Sequence, residues 1–532
     1  MRAKIQSLSS FTLLLIIILF VSPSSLAAPT VTNTINIPTS LPNSDRDYPV
    51  SPSFIGFAFE QAAFYNYSFT SAGEPNTFSA NLISSVLERT GGTPIIRVGG
   101  TSGDRAHFNA SQGNATNYPA TEGGTHFKAP WLSIGKPYFQ AFEQFDSIGA
   151  KYIFQVPWDR AGVWRWKEEG YQNALAWARA GMDIIGTSRL QALEIGNEPN
   201  FYLPNQAITA EQYGTRYKAF QSALLERLPE LANRRIFQAL DIADKATSAF
   251  PAKPFFTTGG LNAIALSLRQ VAFHYYQAHG INNRTDLQAF VRHSTTAAEL
   301  AVFVPSIAYL RKHHPGISLI LSEVGDNVGA DATKAPIYNV LATALWRVDF
   351  MLHAMSLGIA GVNWQQIFNE RISMWLPVDS ERAGKPRVTA NYYALPFAAE
   401  FVGRGGQTKV VEQEVGDDGE GTLVAYAAYD AGKLARVAAM NLDVWQPEDG
   451  QRTSAVFRLK VSDGQTTVQI RGLNSADGAL AKKGISWAGL QWTWENQGRP
   501  QEEEQFETKR SGSKGVVEIE VEASSAVLVT LA

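Results

Sequence analysis

Residues 190–199 read Leu-Gln-Ala-Leu-Glu-Ile-Gly-Asn-Glu-Pro, a short β-rich apolar run whose end carries the acidic residue Glu198. Residues 318–325, Ser-Leu-Ile-Leu-Ser-Glu-Val-Gly, form a second run of this kind with Glu323 near its end. A hydrophobic strand has no structural use for a carboxylate at its end. The two runs therefore predict strands that carry Glu198 and Glu323 to a functional edge of a sheet.

Further runs of this type alternate with stretches of helical periodicity between about residues 54 and 400. The eight predicted strands are Phe54–Glu60, Pro94–Gly100, Lys151–Trp158, Leu190–Pro199, Phe255–Leu261, Ala272–Tyr276, Ser318–Gly325 and Gly361–Gln366. The predicted helices include Asn173–Ile185, Ala210–Arg227, Ala297–His313 and Ile337–Leu357. Parallel neighbouring strands need crossover connections, so the pattern predicts an α/β fold with a (β/α)8 TIM barrel over residues 51–400. An open doubly wound sheet is the alternative, and eight units with polar strand ends favour the barrel.

The pattern changes to short strands and turns after about residue 401. Strand-like runs recur at Thr422–Tyr429, Ala435–Asn441, Ser454–Lys460, Thr467–Arg471 and Val516–Leu531, with turn signals such as Asp417-Asp418-Gly419 between them. This predicts a C-terminal all-β sandwich domain over residues 401–532. The stretch Thr30–Ile37 alternates like a strand, so residues 29–50 are expected to pack with that domain.

The N-terminus has the three parts of a secretory signal peptide. Arg2 and Lys4 precede the apolar run from Phe11 to Val21, and small residues follow at Ser24–Ala28. The run is short for a bilayer-spanning helix, so residues 1–28 are predicted to be cleaved and the protein to be secreted and extracellular. Sequons that fit this route begin at four asparagines, Asn66, Asn109, Asn114 and Asn283.

Composition excludes several classes of function. The chain of 532 residues contains no cysteine and has a formal net charge of -3, without a long basic run. It therefore offers no electrostatic footprint for nucleic acid or an anionic membrane. The protein is expected to be a monomer. His274 and His279 lack partners at metal-ligand spacing, and no phosphate loop or nucleophile elbow is present. No metal and no cofactor are predicted.

Two carboxyls at the mouth of a barrel suit glycoside hydrolysis. Retaining glycosidases need their two carboxyls about 5–5.5 Å apart, one as acid/base and the other as nucleophile. Strands four and seven lie on opposing sides of a barrel, so Glu198 and Glu323 can face each other across its mouth. The local alternatives are Glu194, four residues upstream on the strand, and Asp326, beyond the tip of strand seven.

The chain resembles glycoside hydrolase family 79, the β-glucuronidase and heparanase family of clan A. The resemblance runs over the mature chain and is carried by Arg97–Asp104 (RVGGTSGD), Gly196–Pro199 (GNEP), Phe273–Tyr276 (FHYY) and Ser322-Glu323. It implies that Glu198 is the acid/base, that Glu323 is the nucleophile and that Asn197 binds the sugar 2-OH. It also implies that Tyr275 hydrogen-bonds the nucleophile, whereas Tyr276 faces the other way and packs.

The same resemblance implies further substrate-binding residues. Asp104 and Glu60, at the ends of strands two and one, would contact sugar hydroxyls, and Gln366 would contact substrate from the end of strand eight. The uronate carboxylate would be held by the backbone N–H groups of Gly329 and Ala330.

Two positions depart from the family pattern around the uronate. Val328 stands where a tyrosine is expected, and Trp375 is the expected counterpart of a second tyrosine. An indole N–H cannot replace a phenol geometrically.

These features predict a retaining exo-β-glycosidase, a β-glucuronidase that acts on glucuronate ends of polysaccharide or proteoglycan side chains. The alternatives are a β-glycosidase specific for glucosides or xylosides, and an endo-acting, heparanase-like enzyme. No heparin-type basic cluster is evident, which favours exo action. A carbohydrate-binding protein without activity is the alternative from another class, and retention of both carboxylates argues against it.

Overall fold

The structure is a computed structural model that describes residues 30–42, 48–117, 132–158, 168–201, 208–243, 251–328, 334–368, 371–380, 384–416, 421–462 and 464–531. The predicted signal peptide lies outside these residues. Among the described residues, no helix is both long enough and apolar enough to cross a bilayer.

The main strands fall into an N-terminal strand, eight barrel strands and a C-terminal group. They are β1 (Thr30–Asn36), then β2 (Ile55–Glu60), β3 (Ile95–Gly99), β4 (Lys151–Val156), β5 (Leu190–Ile195), β6 (Phe237–Ala243), β7 (Leu268–Ala278), β8 (Ser318–Asn327) and β9 (Val362–Gln366). The C-terminal strands are β10 (Thr408–Gln413), β11 (Leu423–Asp430), β12 (Lys433–Asn441), β13 (Ser454–Lys460), β14 (Thr467–Asn474), β15 (Ser486–Trp487), β16 (Glu507–Arg510), β17 (Val516–Glu522) and β18 (Ser525–Leu531).

The α-helices lie mainly between the barrel strands. They are α1 (Gln61–Ser68), α2 (Thr77–Thr90), α3 (Thr101–Asp104), α4 (Glu168–Arg189), α5 (Ala210–Arg227), α6 (Ala252–Thr257), α7 (Arg284–Val291), α8 (His293–Leu300), α9 (Val304–His313), α10 (Leu341–Leu357) and α11 (Ala394–Val402). Local signals set several of their ends: Asn76 caps α2 by accepting the N–H of Ser79, and Thr209 forms a capping box with Gln212 on α5.

Strands β2 to β9 close into a parallel barrel in sequence order, with β9 paired to β2. The predicted fold class is therefore confirmed. One predicted strand was wrong: the fifth strand is Phe237–Ala243, whereas Phe255 and Phe256 of the predicted run lie in helix α6. Short apolar runs do not by themselves distinguish a buried strand from a buried helix, which explains the error.

The C-terminal strands form two sheets that face each other. One contains β10, β11, β12, β18, β14 and β15 in that order, with β16 also on β14, and the other is β1-β13-β17. Phe457 and Ile519 from the smaller sheet share a buried core with Val437 and Ala425 from the larger one. β1 pairs in parallel with β13, so the N-terminal strand belongs to this sandwich.

The larger sheet also buries its other face against the barrel. Tyr426 and Leu528 of the sheet belong to the same core cluster as the barrel helices α10 and α11. Every residue of α10 is buried, because this helix lies between the barrel strands and the sheet.

Candidate active site

Glu198 and Glu323 lie close together at the C-terminal end of the barrel. One carboxylate oxygen of each, together with one ring nitrogen of His274, all lie within 4.8 Å of one another. Glu198 follows β5 with a φ of 50°, in the left-handed region that a non-glycine residue enters at a cost. Its N–H donates to the carbonyl of Asp241 at 2.9 Å, which holds this strained turn in place.

The two carboxylates have different surroundings. Glu323 is 6% exposed and accepts a hydrogen bond from the Tyr276 hydroxyl at 2.7 Å and another from Arg97 Nη1 at 2.6 Å. Burial would raise the pKa of Glu323, but the positive charges of His274 and Arg97 and the Tyr276 hydrogen bond together lower it. Glu323 is therefore held as an anion, as a nucleophile must be.

His274 lies between the two carboxylates. Its Nδ1 is 3.3 Å from Glu198 Oε1 and 3.9 Å from Glu323 Oε2, and its Nε2 is 3.8 Å from Asp241 Oδ1. Burial lowers the pKa of His274, but the charge of Glu323 and the contacts to Asp241 and Glu198 outweigh it and raise the pKa to about 10. These contacts favour the charged form of the ring beside the acid/base candidate. Glu198, His274 and Glu323 could also hold a metal ion, but Arg97 already places a positive charge against Glu323.

The structure reverses the predicted roles of two neighbouring tyrosines. Tyr276, not Tyr275, reaches Glu323, whereas the Tyr275 ring stacks on Phe350 of α10 at 5.2 Å and its hydroxyl donates to Gln277. Successive strand residues face opposite sides, so Tyr276 shares the inner face with His274. The parity was available in the sequence: Gln270, His274 and Tyr276 are polar, and Val271 and Phe273 between them are apolar.

Gly325 makes the position of Tyr276 possible. A Cβ on Gly325 would lie 2.5 Å from the Tyr276 ring, so only glycine leaves room for the ring to cross β8 and reach Glu323.

A buried network below the pair includes residues that sequence reasoning missed. Arg97 on β3 binds Glu194 through two hydrogen bonds of 2.6 and 3.0 Å, and the same guanidinium also reaches Glu323. Gln238 on β6 donates to both Glu194 and Asp241. Glu194, an alternative to Glu198 in the sequence, is thus fully buried in an ion pair beneath the site. The signal that could have identified Arg97 is a charged residue inside an apolar strand.

Asn197 and Asp104 are held by protein groups. Arg97 Nη2 donates to Asn197 Oδ1 at 2.8 Å, which turns the amide nitrogen of Asn197 toward Thr101. Asp104 is 3% exposed and accepts from Gln155 Nε2 and from the backbone N–H groups of Trp158 and Asn197, all at 2.9 Å. Asp104 therefore lies beneath Asn197, where these three N–H groups hold its carboxylate.

Glu60 comes close to Gly100 at the barrel mouth. It accepts from the Ser102 N–H at 2.6 Å and from Gln365 Nε2 at 3.1 Å. Burial, then the charge of Glu323, raises the pKa of Glu60 to about 7. Gly100 has a φ of 91°, and a Cβ there would lie 2.1 Å from Glu60 Oε2. Glycine at this position therefore leaves the space that the Glu60 carboxylate occupies.

The remaining predicted contacts divide into three groups. Trp375 was wrongly assigned to the substrate: it is fully buried, donates its indole N–H to Ser79 Oγ at 3.0 Å, and packs among core aromatic rings. Gln366 is buried at the end of β9, and its Oε1 accepts the N–H of Met374. Gly329 and Ala330 lie outside the described residues.

Comparisons with known proteins found relatives by sequence and by fold. A sequence model described as the glycosyl hydrolase family 79 C-terminal beta domain matches residues 425–528. A β-glucuronidase of Aspergillus niger is 27% identical, with 94% of each chain covered. A β-glucuronidase of Neurospora crassa is 25% identical and covers 94% of this chain and 98% of its own. These matches confirm the resemblance to family 79.

Solved structures show the same fold. A 4-O-α-L-rhamnosyl-β-D-glucuronidase from Fusarium oxysporum has a TM-score of 0.76 at 22% identity, covering 94% of this chain and all of the other. A family 51 arabinofuranosidase from Xanthomonas axonopodis pv. citri has a TM-score of 0.60 at 13% identity, with the same coverage.

Proposed function

We propose that this chain, a glycoside hydrolase related to family 79, hydrolyses terminal β-glucuronides with retention of configuration at the anomeric carbon. The observation that carries the proposal is the pair Glu198 and Glu323, whose carboxylate oxygens lie within 4.8 Å at the ends of β5 and β8. Oxygens this close favour the geometry of retaining enzymes, whose carboxyls are about 5–5.5 Å apart, over that of inverting enzymes, whose carboxyls are roughly 6.5–9.5 Å apart to admit a water.

The surroundings of each carboxylate assign the roles. Glu323 is held ionised by Arg97 and Tyr276 and would attack the anomeric carbon, while Glu198 gives its proton to the departing glycosidic oxygen. In the second half, Glu198 takes a proton from water, the water oxygen attacks the anomeric carbon, and the bond to Glu323 breaks. His274, whose Nδ1 is 3.3 Å from Glu198 Oε1, orients the acid/base.

Asn197 would bind the sugar 2-OH. Arg97 fixes its carbonyl oxygen, so the amide nitrogen is positioned to donate. Such a bond would strengthen as charge develops at the neighbouring carbon in the transition state.

Two observations support recognition of a uronate: both sequence relatives are named β-glucuronidase, and the polar side chain of Asn327 lies near the proposed nucleophile. Asn327, at the end of β8, is 2% exposed, and both of its amide atoms lack a hydrogen-bond partner among the described residues. It lies four residues after Glu323 and so shares its face of the strand. An unpaired buried amide is costly unless a ligand satisfies it, so Asn327 is a candidate contact for the sugar. Gly329 and Ala330 remain proposed carboxylate donors.

A panel of 4-nitrophenyl glycosides tests the proposal. The secreted protein is expected to release 4-nitrophenol fastest from the β-glucuronide, with Glu323→Gln as the control for contaminating activity. Faster cleavage of the β-glucoside or β-xyloside would leave retaining hydrolysis in place and refute the uronate assignment. Binding of an oligosaccharide without turnover would favour the non-enzymatic alternative.

Azide separates the two roles. Glu323→Ala with azide is expected to give the glycosyl azide of inverted configuration, whereas Glu198→Ala gives the azide of retained configuration.

We further propose that the protein is a secreted, glycosylated monomer with a catalytic barrel at residues 51–400 and a β-sandwich at 401–532. Asn109, Asn114 and Asn283 are exposed and Asn66 is half-buried, which favours the first three as glycan sites. Intact-mass measurement before and after enzymatic deglycosylation shows whether these asparagines carry glycans. N-terminal sequencing tests cleavage of the signal peptide near Ala28. Size-exclusion chromatography with light scattering tests whether the protein is a monomer.

A further inference from the structure

A second cluster of titratable groups lies between the barrel and the larger C-terminal sheet. His293 begins α8, His353 lies on α10 and Glu412 lies on β10. His293 Nε2 is 2.9 Å from Glu412 Oε1, and His353 Nδ1 is 2.9 Å from Glu412 Oε2. One ligand atom from each residue lies within 4.8 Å of the others. The proposed hydrolysis uses none of them.

These groups have the chemistry of a zinc site. Two imidazole nitrogens and one carboxylate are a common Zn²⁺ donor set, with water in the fourth position. Ligand atoms at about 2.0–2.1 Å from a tetrahedral ion lie roughly 3.3 Å from one another. The present nitrogen-to-oxygen distances are 2.9 Å, so small side-chain movements would give the geometry that the ion needs. The two imidazole rings are nearly perpendicular, at 82°, with centroids 5.2 Å apart. Glu412 is partly exposed, which leaves a path for the ion and for a water ligand.

The second ring nitrogen of His293 has a partner typical of metal sites. Its Nδ1 lies 2.9 Å from Asp349 Oδ1, and Asp349 is itself buried and accepts the Tyr426 hydroxyl at 2.6 Å. A carboxylate on the far side of a histidine fixes the tautomer that turns the other nitrogen toward a metal. This contact is independent of Glu412 and orients His293 Nε2 into the cluster.

We propose that His293, His353 and Glu412 bind a Zn²⁺ ion that joins barrel helices α8 and α10 to strand β10, with Asp349 as the positioning residue for His293. The ion would take the place of the direct contacts between Glu412 and the two rings. Because it would link elements far apart in sequence, it would also raise the thermal unfolding temperature.

Isothermal titration of the full-length secreted chain, stripped with EDTA, with zinc chloride tests the site. One Zn²⁺ per chain is expected, with affinity falling at least 100-fold in His353→Gln and Glu412→Gln, and about 10- to 100-fold in Asp349→Asn. The exposed His279→Gln is the matched control and should bind as the wild type does. Circular dichroism and cooperative thermal unfolding establish that each variant is folded.

Two results would overturn the proposal. The first is the absence of Zn²⁺ binding, or binding that His353→Gln and Glu412→Gln leave unchanged, which would make the cluster a proton-bridged contact only. The second is binding that is lost in Glu198→Gln instead, which would place the ion at the Glu198, His274 and Glu323 group. A rise in unfolding temperature with zinc chloride that EDTA reverses, present in His279→Gln and absent in His353→Gln, would support the site.

Discussion

The Tyr276 hydroxyl donates a 2.7 Å hydrogen bond to Glu323, while Tyr275, one residue earlier, lies on the outer face of the same strand against Phe350. One position along β7 therefore separates a side chain that controls the proposed nucleophile from one that holds the barrel to helix α10.

Tyr276→Phe and Tyr275→Phe form a matched pair of single-oxygen deletions. Loss of a hydrogen bond to a charged group costs about 1.5–3 kcal/mol, so Tyr276→Phe should lower kcat/KM for the 4-nitrophenyl glycoside roughly 10- to 100-fold. Tyr275→Phe should leave it within about twofold, because the Tyr275 hydroxyl donates to Gln277 and the ring packs on Phe350, on the face of the strand opposite Glu323. Steady-state kinetics measures both, and a larger loss in Tyr275→Phe would restore the role first inferred from sequence.

The acid limb of the pH profile reports on Glu323. A nucleophile is active when ionised, and the pKa of Glu323 is lowered from its usual value of 4.5, so the loss of kcat/KM on the acid side should occur below about pH 4.5. His274→Gln removes a positive charge that contributes to this lowering and should move the limb to higher pH. A wild-type limb that falls well above pH 4.5, or a limb that His274→Gln leaves in place, would contradict the charge assignment.

Arg97→Met tests the buried network. It leaves Glu194 and Glu323 without their common cation, and breaking a buried ion pair costs about 3–5 kcal/mol. Arg179→Met is the control, since that guanidinium is half-exposed and its ion pairs are worth below about 1 kcal/mol. Urea unfolding followed by fluorescence gives the free energy of unfolding of each variant. A similar loss of this free energy in Arg97→Met and Arg179→Met would count against a stabilising role of the network.

Asn327→Ala tests the proposed sugar contact. The expected result is a roughly tenfold or greater loss in kcat/KM, with little change in stability, because the amide has no partner among the described residues. Asn363→Ala is the control: Asn363 is also buried, but it lies near the start of β9, away from the barrel mouth. If both variants lose activity equally, Asn327 has no special role toward the substrate.

The sequence predicted the barrel because hydrophobic strands and helices alternate, and it identified Glu198 and Glu323 because carboxylates end two such strands. It failed where the face of a side chain matters. Tyr275 and Tyr276 are adjacent residues of the same type that differ only in strand parity; the prediction of Tyr275 rested on the family resemblance, whereas the polar–apolar alternation before the pair indicates Tyr276. Arg97 and Asp241 were missed because their importance lies in contacts across the barrel, between residues far apart in the chain. Trp375 looked like a sugar contact, but the core around Ser79 and Tyr67 holds it.

Trapping the covalent intermediate tests the assignment of Glu323 most directly. The protein is incubated with 2-deoxy-2-fluoro-β-glucuronyl fluoride, digested with a protease and analysed by tandem mass spectrometry, with Glu323→Gln as the unlabelled control. The expected result is one fluoroglucuronyl group on the peptide that contains Glu323, since the slowed second step leaves the nucleophile glycosylated. A label on Glu198 or Glu60, or turnover to an inverted sugar without any label, would contradict the assignment.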